Sequence, residues 1–190
     1  MTSKAAEGQP RPALYTIGHS THPIEAFISL LSEHRIALLA DVRSFPGSRR
    51  WPQFNQRELE RSVEQAGIGY QWFKSLGGRR NLKRPDSPHR AWENPAFRSY
   101  ADYTETGEFA AGLDELATAA LVRRTAIMCS EGLWWRCHRR IISDHITVRG
   151  WEVWHIMPGG QLAAHSIASF ATVHEGRIVY DGGQAALKLK

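Results

Sequence analysis

Cysteine is scarce in this sequence: Cys129 and Cys137 are the only two. Two thiols make no disulfide framework, which argues against a small secreted scaffold and for a reducing, cytoplasmic setting. No apolar run approaches the roughly 18 residues of a membrane span. The polar stretch Met1–Arg11 lacks the apolar core of a signal peptide. Residues 1–12 therefore read as a disordered leader and residues 13–190 as a single domain. Also missing are a Walker-type glycine loop, a dinucleotide fingerprint and a serine nucleophile elbow. Kinase, dehydrogenase and hydrolase readings lose ground accordingly. No internal repeat and no Gly/Ser linker divides the chain.

The charge that is present is unevenly placed. The net charge is +5, yet Arg43–Arg90 alone holds 11 basic and 4 acidic residues, leaving the remainder slightly acidic. Nine of the eleven are arginine, the side chain whose fork suits phosphate and carboxylate. The window reads either as a localised anion-binding face or as a surface kept basic for solubility.

Five short runs rich in aliphatic and β-forming residues stand out: Ala13–Gly18, Ile36–Val42, Ile68–Phe73, Thr125–Cys129 and Glu152–Met157. Helical spacing of apolar residues fills Pro23–His34, Gln56–Ala66, Phe109–Arg123 and Trp135–Arg149 between them. Strand and helix alternate, which predicts an α/β fold: one three-layer domain around a mostly parallel five-stranded sheet. Arg177–Tyr180 suggests an extra edge strand near the C-terminus. Leu76–Pro95, with two glycines and three prolines, reads as a long functional or mobile loop.

In open parallel sheets, ligands bind beyond the carboxyl ends of the strands. The residues at those ends here form a polar set. Gly18-His19-Ser20 is either a tight turn or an anion cradle, with Gly18 and Ser20 offering backbone N–H groups and a hydroxyl at a helix start. Asp41 and Arg43 lie two apart, as a local ion pair or as a base beside an anion clamp. Arg79 and Arg139 are further phosphate candidates. Asp41 and Glu131 are the acid/base candidates, with His19 and His138 placed to orient or exchange protons near neutral pH. Trp51, Trp92 and Trp134 are interleaved with arginines, either as stacking platforms for single-stranded nucleic acid or as core aromatics. No cofactor motif is present. No metal site is expected either, because Cys129, Cys137, His138 and His155 match no zinc spacing and an adjacent Cys and His rarely converge on one ion.

Tyr15-Thr16-Ile17-Gly18-His19-Ser20, Asp41-Val42-Arg43, Leu76-Gly77-Gly78 and Cys137-His138-Arg139, in that order, resemble the bacterial family called domain of unknown function 488. The resemblance runs from about residue 14 to residue 157. It implies an α/β domain whose shared motifs are polar strand-end residues, and it supplies no reaction. The Asp-Val-Arg is also similar to rhodanese domains, but Cys129-Ser-Glu-Gly-Leu-Trp-Trp-Arg is not the arginine-rich sulfur cradle of that chemistry.

Three functions follow as expectations. The first is an enzyme binding a phosphate-bearing anion, either a nucleotide or nucleic acid, with Asp/Glu acid–base chemistry. The second is a non-catalytic nucleic-acid-binding module. The third is a thiol-dependent enzyme or redox sensor, which requires a thiol with a depressed pKa. The partner is an anionic small molecule or nucleic acid, and not a membrane.

Overall fold

A computed structural model describes residues 11–183 of the chain. The leader assigned to residues 1–12 falls almost wholly outside the described residues. Strands β1 (Ala13–Gly18), β2 (Leu38–Asp41), β3 (Gly69–Trp72), β4 (Thr125–Cys129), β5 (Glu152–Ile156) and β6 (Leu162–Ala164) form one sheet in the order β3-β2-β4-β1-β5-β6. The first five are parallel, and β6 returns antiparallel on β5. The sixth strand at the sheet edge is thus β6. Arg177–Val179 (β8) instead pairs with Thr172–His174 (β7) in a separate two-stranded hairpin.

Alternation along the strands explains the three layers. Residues of opposite parity face opposite sides, so a strand covered on both faces is apolar throughout. Tyr15, Ile17, Leu39, Ala126 and Met128 pack under α1 (Ile24–Glu33) and α2 (Gln56–Gln65), with Phe27, Leu31, Leu59 and Val63. Leu14, Ala40 and Ile127 face the other way, onto α4 (Gly107–Val122) and α5 (Arg139–Val148) through Leu113, Leu116, Ile141 and Ile142.

One helix absent from the periodicity reading is α3 (Pro95–Tyr103). Its start is built locally: Asn94 Oδ1 accepts from the Ala96 N–H at 2.9 Å, and Pro95 sits in the first turn, where its missing N–H costs nothing. The long loop before it is tied down. Leu82 N–H donates to Ser99 Oγ, Ser87 Oγ–H to Asp102, and Ala91 N–H to the Tyr180 carbonyl. Trp92, expected as a stacking platform, is a core residue in this arrangement. It is buried against Phe97, Phe170 and Tyr180 at centroid distances of 4.8, 4.9 and 5.3 Å. No helix of the described residues is long and apolar enough to cross a membrane.

Candidate active site

Parallel register brings three strand ends together. Gly18 lies opposite Cys129, and Asp41 opposite Met128. The chain leaving β1 must cross the segment leaving β4, and only glycine permits it: a Cβ on Gly18 would stand 1.9 Å from the Glu131 carbonyl oxygen. Beyond these ends opens a cleft of about 620 Å³. His19, Arg43, Arg79, Glu131 and His138 all line it, as the strand-end reading expects, and Trp51 stands on its wall.

Three of the expected anion contacts face elsewhere. The His19 and Ser20 N–H groups donate to the Cys129 and Ser130 carbonyls at 3.0 and 2.9 Å, so the Gly18–Ser20 turn offers no backbone cradle. Ser20 is not a helix cap either, since α1 begins after Pro23. Arg139 is 1% exposed; its guanidinium donates to the Glu131 carbonyl and to Thr16 Oγ1, beneath the cleft rather than in it. Trp134 leaves the stacking set as well, its ring lying flat on His155 at 4.0 Å.

Asp41 is fully buried and saturated. Arg43 Nε donates to its two oxygens at 2.9 and 3.1 Å, and Arg43 Nη2 to Oδ2 at 2.6 Å. The Tyr70 hydroxyl adds a bond to Oδ2 at 2.7 Å. Arg43 Nη1 donates to the Phe54 carbonyl at 2.8 Å, which fixes the guanidinium in place. This bidentate pair is the local ion pair that the two-residue spacing allowed, and it leaves Asp41 no lone pair facing the cleft. His19 is stacked on Phe54 at 4.1 Å, and burial followed by the Arg43 charge lowers it to about 4. It is therefore a neutral imidazole. Its Nδ1–H donates to the Ser20 carbonyl, which leaves Nε2 as an acceptor.

The cleft floor holds Cys129, Cys137 and His138, brought together because the turn after β4 folds back before α5 begins. His138 Nε2 lies 2.9 Å from the Val42 carbonyl, so that nitrogen carries the proton and Nδ1 is bare. Nδ1 faces Cys137 Sγ at 3.5 Å and Cys129 Sγ at 3.9 Å. The three atoms lie within 4.8 Å of one another, although Cys137 and His138 are adjacent in the chain. They converge because His138 turns in the nitrogen nearest its own backbone. His155 is not part of the group; its ring bridges Thr16 and His165. The two thiols are driven apart. The neighbouring Cys137 thiol, then burial, pushes Cys129 up to about 12. Burial also pushes Cys137 up, but the neighbouring Cys129 thiol and the Arg139 charge outweigh it and hold it at about 6.

Sequence reasoning missed Arg136, Ser44, Phe45, Phe97 and Tyr100 in the lining. Phe97 and Tyr100 come from α3, whose Asn-Pro start was the overlooked signal. Part of the basic window is engaged with other side chains. Arg61 pairs with Glu58, Arg84 pairs with Glu105, and Arg80 lies over the Tyr103 ring.

The fold and site together define a three-layer α/β domain with an arginine-lined cleft at the carboxyl ends of its central strands. Within that class the chain belongs to the family described as Domain of unknown function DUF488, whose model matches residues 23–146. It matches no curated protein and no solved structure.

Proposed function

We propose that the chain is an enzyme that binds an anionic, phosphate-bearing substrate, a nucleotide or nucleic-acid segment, at the carboxyl ends of β1, β2 and β4. One observation carries this reading: Arg43, Arg79 and Arg136 line the cleft against a single carboxylate, Glu131. Arg79 and Arg136 make no ion pair among the described residues, which leaves their forks to phosphate oxygens. The cleft volume is that of a site for a nucleotide-sized ligand. Phe45, 71% exposed with the Arg79 guanidinium 5.8 Å from its centroid, and Trp51 offer flat faces for a base. Glu131, exposed at the rim, is the acid/base group in this reading, and Asp41 acts by positioning Arg43. Two free thiols suit work in the reducing cytoplasm.

A second reading, a non-catalytic nucleic-acid-binding module, is favoured by one feature outside the cleft. Arg50, which does not line the cleft, lies over Trp51 at 5.5 Å and adds a basic group behind that aromatic wall.

The test is binding of labelled single-stranded DNA and RNA, with mononucleotides as competitors, across roughly 50 to 200 mM salt. Arg79→Ala and Arg136→Ala are each expected to weaken binding about tenfold and to reduce the salt slope by about one. Unchanged affinity in the double variant would sink the anion reading. On any polymer that is bound, cleavage or base removal is then assayed. Loss of turnover in Glu131→Gln with binding retained favours the enzyme; binding with no turnover favours the module.

A further inference from the structure

We infer that Cys129, Cys137 and His138 form a binding site for a soft divalent metal ion, zinc foremost, with one coordination position open to the cleft. The inference does not depend on the anion reading, since it concerns the cleft floor alone.

Distances support it first. With metal–sulfur and metal–nitrogen bonds of about 2.3 and 2.05 Å, a tetrahedral centre has S···N edges of about 3.6 Å and an S···S edge of about 3.8 Å. The observed S···N separations are 3.5 and 3.9 Å. No pair of the three atoms exceeds 4.8 Å, so the widest edge needs to close by at most about 1 Å. Orientation supports it second. A metal-bound histidine generally donates its other N–H to a carbonyl or carboxylate, which fixes the ring and its tautomer. His138 does this through the Val42 carbonyl, with the bare nitrogen turned toward both sulfurs.

The donor set decides the kind of metal. Two sulfurs and an imidazole in a compact group select zinc or a comparably soft ion over magnesium or calcium, which take oxygen ligands. Three protein ligands also leave a tetrahedral ion one position short. All three residues line the cleft, so the fourth position faces the space between Arg43, Arg79 and Arg136. That is the arrangement of a site that accepts water or a substrate atom, whereas a closed structural site has four protein ligands.

The experiment uses the full chain, reduced, stripped with a chelator, and titrated with zinc against a chromophoric competitor. Cobalt(II) serves as the spectroscopic probe. The expected result is one equivalent of metal, with thiolate-to-cobalt charge-transfer absorption and visible bands of tetrahedral intensity. Cys129→Ser and His138→Ala should each weaken zinc by about 100-fold or more. Gly78→Ala keeps every ligand but puts a Cβ 2.4 Å from His138 Nδ1, so it should also weaken the metal by displacing the ring. Absence of stoichiometric binding, a cobalt spectrum without thiolate bands, or zinc affinity unchanged in Cys129→Ser and His138→Ala would each overturn the site. If either ligand variant fails to fold, the wild-type cobalt spectrum and the Gly78→Ala titration still decide.

Discussion

Replacing Asp41 with alanine is expected to lower the free energy of unfolding by about 3–5 kcal/mol, because it strands the Arg43 guanidinium in a buried site. The Arg43 guanidinium has four hydrogen bonds to Asp41 and Phe54, three of them to the lost carboxylate, and the Arg43 backbone N–H donates a further one to Asp41 Oδ1. Tyr70 loses its hydroxyl's acceptor at the same time. Arg43 sits close to the cleft, so water can relieve part of the cost, which places the loss at the lower end of that range. In a chain of this size the lower end is roughly a 10 °C fall in melting temperature. Asp41→Asn should fall between, since the amide oxygen still accepts while the negative charge is gone. The double variant Asp41→Leu with Arg43→Met should be milder than Asp41→Ala, because replacing a whole buried pair by apolar groups avoids the unpaired charge. Urea midpoints for these variants decide the matter. Wild-type stability in Asp41→Ala would mean that the carboxylate is free for chemistry and is not the anchor of Arg43.

Acid should unfold the protein well above the pH at which most carboxylates titrate. Burial lowers His145 to about 4, and burial, then the neighbouring His165 and Arg139, lowers His155 to about 2. Both rings are therefore neutral in the fold. His145 packs edge-on against Phe109, and the His155 ring is held between Thr16 and His165. In the unfolded chain each takes a proton near 6.5, so below that pH the unfolded state binds more protons than the native one. Stability is then fully present above about pH 6.5 and is lost as pH falls. At pH 4.5 each group has lost about two units of linkage, together about 5 kcal/mol. That is a large part of what a domain of this size possesses. Urea midpoints at pH 7.5, 6, 5 and 4.5 should fall steeply over the lower three. His19, lowered by burial to about 4 as well, adds a loss of the same kind, so His145→Phe should flatten about a third of the slope. A midpoint that holds constant down to pH 4.5 would contradict the neutral, buried state of both rings.

Much of this architecture is visible in one dimension, because strand and helix signals are local. Thr125–Cys129 and Ala13–Gly18 emerge from β-forming runs with the bounds the fold uses, and Gln56 and Gly67 mark the start and stop of α2. The parallel sheet follows from the alternation of elements, and the rule that ligands bind beyond its carboxyl ends leads to His19, Arg43, Arg79, Glu131 and His138. β6 was harder to see: three residues at an edge, half of whose pairing is to solvent, carry little pattern.

The sequence by itself determined the sheet and the end of it where polar groups gather. Tertiary structure alone decided what each of those groups does. The Asp41 carboxylate is taken up by Arg43 and Tyr70 because strand parity turns it toward Tyr70, distant in sequence. Arg139 lies beneath the cleft because α5 packs its first turn onto Thr16 of β1. Cys129, Cys137 and His138 converge because the Val42 carbonyl, just past the end of β2, turns the imidazole. Periodicity reports which face of an element is apolar, and that is a short-range property. The partner of a buried polar group is set by long-range contacts, which one segment's pattern does not encode.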